Sequence, residues 1–144
     1  MSEPIREVKQ ERTGWRDLAL SQRHRKWGWD CPCVDIDFLF LEYDKGKAVA
    51  LVEYKNEKAP PQFATHPTYQ AMIDLATRAD IPIFCCRYSS DFTTWKVTWL
   101  NKKASELLPQ RTVVMTEKEW VVFLYKIRGY DAPDKLFDND GILL

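Results

Sequence analysis

The sequence predicts an α/β fold of the α+β kind, a mixed central β-sheet flanked by helices. Three observations predict it. Two apolar runs, Val34–Leu41 and Ala48–Lys55, lie on either side of a glycine-centred turn. A stretch of helical periodicity follows over about Pro67–Arg78. After it come the apolar run Ile81–Tyr88 and the alternating segment Phe92–Leu100. At 144 residues the chain is large enough to bury one core without staples, so a single domain over 1–144 is expected, with an irregular tail over 129–144.

The elements follow in order. Thr13–Lys26 reads as a helix: Thr13 can cap it, Asp17 falls in its first turn, Trp15, Leu18, Ala19 and Gln22 lie near one face, and Gly28 ends it. The hairpin Val34–Lys55 comes next. The segment Asn56–His66 is a loop, because the pair Pro60-Pro61 excludes regular structure. Proline is tolerated in the first turn of the helix Pro67–Arg78, where Tyr69, Met72, Ile73 and Ala76 repeat at helical spacing. Ile81–Tyr88 is a buried strand, and Phe92–Leu100 is its hairpin partner, with Thr93, Trp95, Val97 and Trp99 alternating against Phe92, Thr94, Lys96 and Thr98. A short helix at Lys103–Leu108, a strand at Thr112–Met115 and a helix at Glu117–Ile127 close the domain, the last with Thr116 and Glu119 forming a capping box. There are no repeats and no glycine-rich phosphate loop.

The first hairpin carries charge where strands rarely tolerate it. Asp44-Lys45-Gly46 suits a three-residue loop whose last position needs positive φ, which glycine supplies without strain. Closing Tyr43 against Lys47 sets Asp37 opposite Glu53 and Asp35 opposite Lys55, all on one face. A two-residue turn at Lys45-Gly46 would instead shift the register by one and put the aspartates on the other face. In the first register two carboxylates face each other and repel unless a cation lies between them, and hard oxygen donors at that spacing suit Mg²⁺ or Mn²⁺. Lys55 beside them can orient an attacking water or stabilise charge building on a phosphate. The chemistry that follows is hydrolysis of a phosphodiester. Without a cation, the same face reads as an exposed sheet surface with cross-strand ion pairs.

Asp37 followed by Glu53-Tyr54-Lys55 on the next strand resembles the Asp and Glu-x-Lys signature of the PD-(D/E)XK nuclease superfamily. The resemblance implies a restriction-endonuclease-like core of αβββαβ order, here with a C-terminal extension. It makes Asp37 and Glu53 metal ligands, with the Tyr54 backbone carbonyl completing the set, and Lys55 the group that orients water or phosphate. Ile36 stands where the motif's proline would be, which leaves Asp35 as a second candidate ligand. Gln70, in the helix after the Glu-x-Lys strand, resembles an accessory glutamine of several nuclease branches, and Glu7 or Glu11 is the candidate for an acidic residue that some relatives contribute from their first helix. The function implied is Mg²⁺- or Mn²⁺-dependent cleavage of nucleic acid, DNA favoured over RNA. The alternative is a noncatalytic nucleic-acid-binding or assembly module on the same fold.

Charge bounds the partners. With 21 basic and 21 acidic residues the net charge is zero, so the chain lacks the global basic footprint of a strong nonspecific nucleic-acid binder. The positive charge is local, at Arg16 and in Arg23, His24, Arg25 and Lys26, with Trp15, Trp27 and Trp29 interleaved, a pattern suited to phosphate contact and base stacking. His24 and His66 flank the hairpin and are candidates for phosphate contact or proton transfer. Zero net charge and a modest basic patch point to a protein partner that delivers substrate, and the resemblance implies a homodimer as the other arrangement, since relatives often dimerise to cut two strands. Cys31, Cys33, Cys85 and Cys86 are spaced more tightly than the usual zinc pattern and read as buried free thiols. No apolar run approaches the roughly 20 residues of a membrane span, and the N-terminus is charged, so a cytoplasmic protein without membrane partners is expected.

Overall fold

The computed structural model describes residues 18–28, 32–34, 36–61 and 64–144. Along them run α1 (Leu18–Trp27), β1 (Phe38–Glu42), β2 (Lys47–Asn56), α2 (Pro67–Arg78), β3 (Ile83–Tyr88), β4 (Trp95–Trp99), α3 (Lys102–Ser105), β5 (Thr112–Met115) and α4 (Glu117–Ile127). Helix α1 belongs to one compact unit, and the chain from Ile36 to Leu144 forms another. Among the described residues no helix is long and apolar enough to cross a membrane.

The expected mixed α/β architecture is present as one five-stranded sheet in the order β1-β2-β3-β4-β5. Only β2 and β3 pair in parallel; the other neighbours are antiparallel. A parallel pair needs a crossover, and α2 supplies it. Two described strands precede α2, where the αβββαβ order calls for three.

Both faces of the sheet centre are covered, which explains the unbroken apolar run in β2. Val52, Phe84, Cys86 and Val97 pack under Trp120 of α4, together with Ala104, Leu108 and Met115. Leu51 and Ile83 pack on the other face against Tyr69, Met72 and Ala76 of α2. Fully buried side chains such as Phe84 and Ile83 each contribute about 1.5–3 kcal/mol relative to exposure. Successive β2 residues therefore serve different cores: odd positions face α2 and even positions face α4.

The hairpin turn differs from both sequence readings. Glu42 pairs with Lys47, so the loop is four residues long, a 3-10 turn over Tyr43–Lys45 with Gly46 at φ 59°. That closure alone would set Asp37 across from Val52 and turn it to the α4 face. Val49 corrects it: Phe40 pairs with Ala50 but Leu41 with Ala48, so Val49 is an extra residue on β2, a β-bulge. Beyond the bulge Leu39 pairs with Leu51 and Phe38 with Val52, which restores the register that carries Asp37 toward Glu53.

Local chemistry sets the other boundaries. β3 starts after Pro82, which has no N–H to give but whose carbonyl accepts from Leu51 N–H at 3.0 Å. β4 starts at Trp95 because 89–94 form a turn in which Asp91 Oδ1 accepts from Ser89 Oγ and from the N–H and Oγ1 of Thr93. Helix α3 is a single turn, shorter than expected, and Asn101 caps it. The Asn101 Oδ1 accepts from Ala104 N–H at 2.9 Å and from Ile83 N–H at 3.3 Å, while its Nδ2 donates to Ile81 O at 2.9 Å. The capping box of α4 forms between Thr116 and Glu119. From Gly129 onward the chain includes a 3-10 turn over Asp134–Leu136 and a bridge between Phe137 and Leu143, with Asp131 also in a bridge, and Phe137 is buried.

Candidate active site

The site is built where β1 begins and β2 nears its end. Glu53 is an odd position of β2, so its carboxyl lies on the α2 face, and it is 7% exposed. Asp37 precedes β1 and is exposed. The two carboxyls meet: Asp37 shares a side-chain hydrogen bond with Glu53 and offers it its backbone N–H as well. Burial pushes the Glu53 carboxyl up to about 7; the negative charge of Asp37 and their shared hydrogen bond add to the rise, and Lys55 and the Asp37 N–H oppose it.

Lys55 shares this face, half-buried, close enough to act electrostatically on Glu53, and it makes no hydrogen bond among the described residues. The Tyr54 side chain is on the other face, where its Oη accepts from Trp120 Nε1 at 3.1 Å and burial pushes the phenol up to about 12. Its backbone is differently placed. Leu51 N–H donates to Pro82 O and Glu57 N–H to Tyr88 O, so odd residues of β2 turn their backbone groups toward β3. Tyr54 therefore turns its carbonyl toward the β1 side, past the last ladder pair at Val52, in the direction from which Asp37 approaches.

Helix α2 walls the site. Burial raises the Tyr69 phenol, with Cys85 and the charge of Glu53 adding to the rise, and its Oη lies 3.9 Å from Cys85 Sγ. Cys85 is the β3 neighbour of Glu53. Gln70 Nε2 donates to Ala64 O at 2.6 Å, so its amide closes the loop before α2 and has no contact with the carboxylates among the described residues. His66 has a structural part: its Nδ1 caps α2 by accepting from Thr68 N–H at 3.2 Å.

The basic cluster is on α1. Arg23, Arg25 and Lys26 are exposed, while His24 is half-buried, packed on Trp27 at 4.4 Å with its Nδ1 3.5 Å from Cys33 Sγ. Arg16, Trp15, Trp29, Cys31, Asp35, Glu7 and Glu11 lie outside the described residues. Cys33, Cys85 and Cys86 are free thiols; Cys86 is buried as expected and Cys85 half-buried, but Cys33 is exposed, because it lies outside the strands whose faces α2 and α4 cover.

Sequence reasoning missed the residues that extend the site across the sheet: Tyr69, Cys85, Arg87, Lys96, Thr98, Arg111 and Thr112 line a 330 Å³ cleft on the α2 face. The available signal was an arginine inside the apolar run Ile81–Tyr88 and the polar face of Phe92–Leu100, where Lys96 and Thr98 alternate with tryptophans. Comparison with protein-family models, with curated proteins and with solved structures finds no match to the chain.

Proposed function

We propose that the chain is a metal-dependent phosphodiesterase of the PD-(D/E)XK kind that cleaves nucleic acid, DNA in preference to RNA, with Asp37, Glu53 and Lys55 as its working groups. The observation that carries the reading is the meeting of the Asp37 and Glu53 carboxyls beside Lys55, with Glu53 almost wholly buried. Packing does not require that arrangement, since Val52 and Tyr54 anchor this part of β2 to the α4 core. The order of α1, hairpin, α2 and parallel β3 supports the reading in part, with one strand fewer before α2, among the described residues, than the αβββαβ order calls for.

The donor set fits a hard divalent cation. Two carboxylates and a carbonyl oxygen are what Mg²⁺ and Mn²⁺ accept, and a buried carboxyl pushed up to about 7 beside a second negative charge marks a place short of positive charge. Asp37, Glu53 and the Tyr54 carbonyl would hold the ion. Its chemical contribution is to make water nucleophilic near neutral pH and to offset charge on the phosphate. Lys55 would orient the attacking water or neutralise a phosphoryl oxygen as the P–O bond breaks.

The test is cleavage of a panel of single-stranded, duplex and branched DNA and RNA with Mn²⁺. Asp37→Asn and Lys55→Ala should each lower the rate by about a hundredfold or more while leaving the circular dichroism unchanged. Wild-type rates in both variants would end this reading. A noncatalytic nucleic-acid-binding module is the second reading. It is favoured by the lack, among the described residues, of any group of three His, Cys, Asp or Glu side chains suited to a metal. Oligonucleotide binding without Mn²⁺ uptake in calorimetry would select it.

A further inference from the structure

The α2 face of the sheet continues past Lys55 as a row of cations. In cross-strand register Lys55 stands beside Arg87, and Arg87 beside Lys96. Opposed residues share a face, and neighbouring strands lie about 4.8 Å apart, so the row spans roughly 10 Å from β2 to β4. Arg111 lines the far end of the same 330 Å³ cleft.

Like charges set directly opposite each other destabilise a sheet, so their retention calls for compensation. Arg87 has it from the protein: its Nη1 donates to the carbonyls of Asn56, Glu57 and Ala59 at 3.1, 3.4 and 2.9 Å. Lys96 has none; it is exposed and makes no hydrogen bond or ion pair among the described residues. Arg111 is exposed and held over the Trp99 ring at 4.6 Å, which keeps its guanidinium in place without neutralising it. The carboxylates that could answer this charge are elsewhere: Asp37 and Glu53 meet each other at the β1 end, and Glu57 accepts from Ser90 N–H. Beyond the apolar patch that α2 covers, this face thus carries its carboxylates toward β1 and Arg87 and Lys96 toward β4, with Arg111 at the edge of the cleft.

We propose that this row is the track for the phosphodiester backbone of one nucleic-acid strand, which runs from the carboxylate pair at Lys55 across β3 to Lys96 and Arg111. The proposal rests on the nuclease reading for the position of the cleaved phosphate and for Lys55, whereas Arg87, Lys96 and Arg111 take no part in the chemistry. It also differs from the sequence expectation, which assigned phosphate contact to the cluster on α1.

The test uses the full chain in EDTA and a fluorescein-labelled single-stranded oligonucleotide, with anisotropy measured across a salt series. Lys96→Gln and Arg111→Gln should each reduce the slope of log affinity against log salt by about 0.7, and the double variant by about twice that. Lys45→Gln, in the turn at the opposite end of the hairpin, should leave the slope unchanged. Arg87 is not a suitable variant because its loss would release three loop carbonyls. A double variant with the wild-type slope, or a wild-type protein that binds no oligonucleotide, overturns the track. Wild-type cleavage with Mn²⁺ alongside an unchanged slope removes the track and leaves the nuclease reading standing. A reduced slope in a protein that never cleaves does the reverse.

Discussion

Glu53 is where the proposed chemistry and the stability of this protein meet. Its carboxyl has an ordinary value of 4.5 and is pushed up to about 7 in the fold, by burial first and by Asp37 second. The folded state therefore holds the proton more tightly than the unfolded chain. The sign follows: the stability this contributes is complete below about pH 4.5 and is lost as pH rises through 7. In EDTA, urea unfolding should show a loss on the order of 1–2 kcal/mol from this group between pH 5 and pH 8, a figure reduced for screening because Asp37 is open to water. Glu53→Gln should remove that decline. Binding of a cation must displace the same proton, so Mn²⁺ titration near pH 6.5 in buffers of different ionisation enthalpy should release up to about one proton per ion. No proton release would exclude Glu53 as a ligand. Asp37, Glu53 and Lys55 were readable from the sequence because a strand has a side-chain period of two. Tyr69 and Cys85 were not, since nothing local announces that α2 and β3 will close over that carboxyl.

The first hairpin shows how an element can reach an expected geometry by an unexpected route. Asp44-Lys45-Gly46 signalled a turn, and Gly46 does take positive φ, but the loop closes at Glu42 and Lys47 and is four residues long. The bulge at Val49 offsets the slip, and no residue type marks a bulge as clearly as glycine marks a turn. Glu42 helps to explain where the ladder starts. It is 7% exposed and its carboxylate receives Arg128 Nε and Nη2 at 3.0–3.2 Å, which ties the end of β1 to the residue that caps α4. Removing Arg128 leaves the buried Glu42 carboxylate without its guanidinium, so Arg128→Ala should cost about 3–5 kcal/mol. Glu42→Ala with Arg128→Ala should cost clearly less than the sum of the two single changes, as chemical denaturation of the four proteins would show. Additive losses would mean that the pair is not coupled. Helices α2 and α4 were readable to their end residues because each has its own period and N-terminal signal, Pro67 for one and Thr116 with Glu119 for the other.

Across the whole molecule a net charge of zero conceals a strongly divided surface. The α2 face has its carboxylates at the β1 end and Lys55, Arg87 and Lys96 in register across β2, β3 and β4, whereas the α4 face is apolar and aromatic, with Tyr54, Tyr88, Trp95 and Trp120 in contact. The cation proposed for the carboxylate pair would bind the folded state and not the unfolded chain, so on that reading saturating Mn²⁺ should raise the thermal midpoint. At a hundredfold excess over its dissociation constant the gain is about 2.7 kcal/mol. The shift should vanish in Asp37→Asn, and a shift of equal size in that variant would place the ion elsewhere.

Local rules sufficed for the type and order of the elements, since periodicity, caps and proline positions act within a few residues of each other. They also sufficed for the Asp37, Glu53 and Lys55 face, given one of two turn registers. Tertiary structure settled what depends on residues distant in the chain: the bulge that restores that register, the parallel pairing of β2 with β3, and the burial that raises Glu53. The same holds for the alignment of Lys55, Arg87 and Lys96, which come from three separate strands. Their adjacency is created by strand pairing, and strand pairing is chosen by which apolar faces α2 and α4 can bury together.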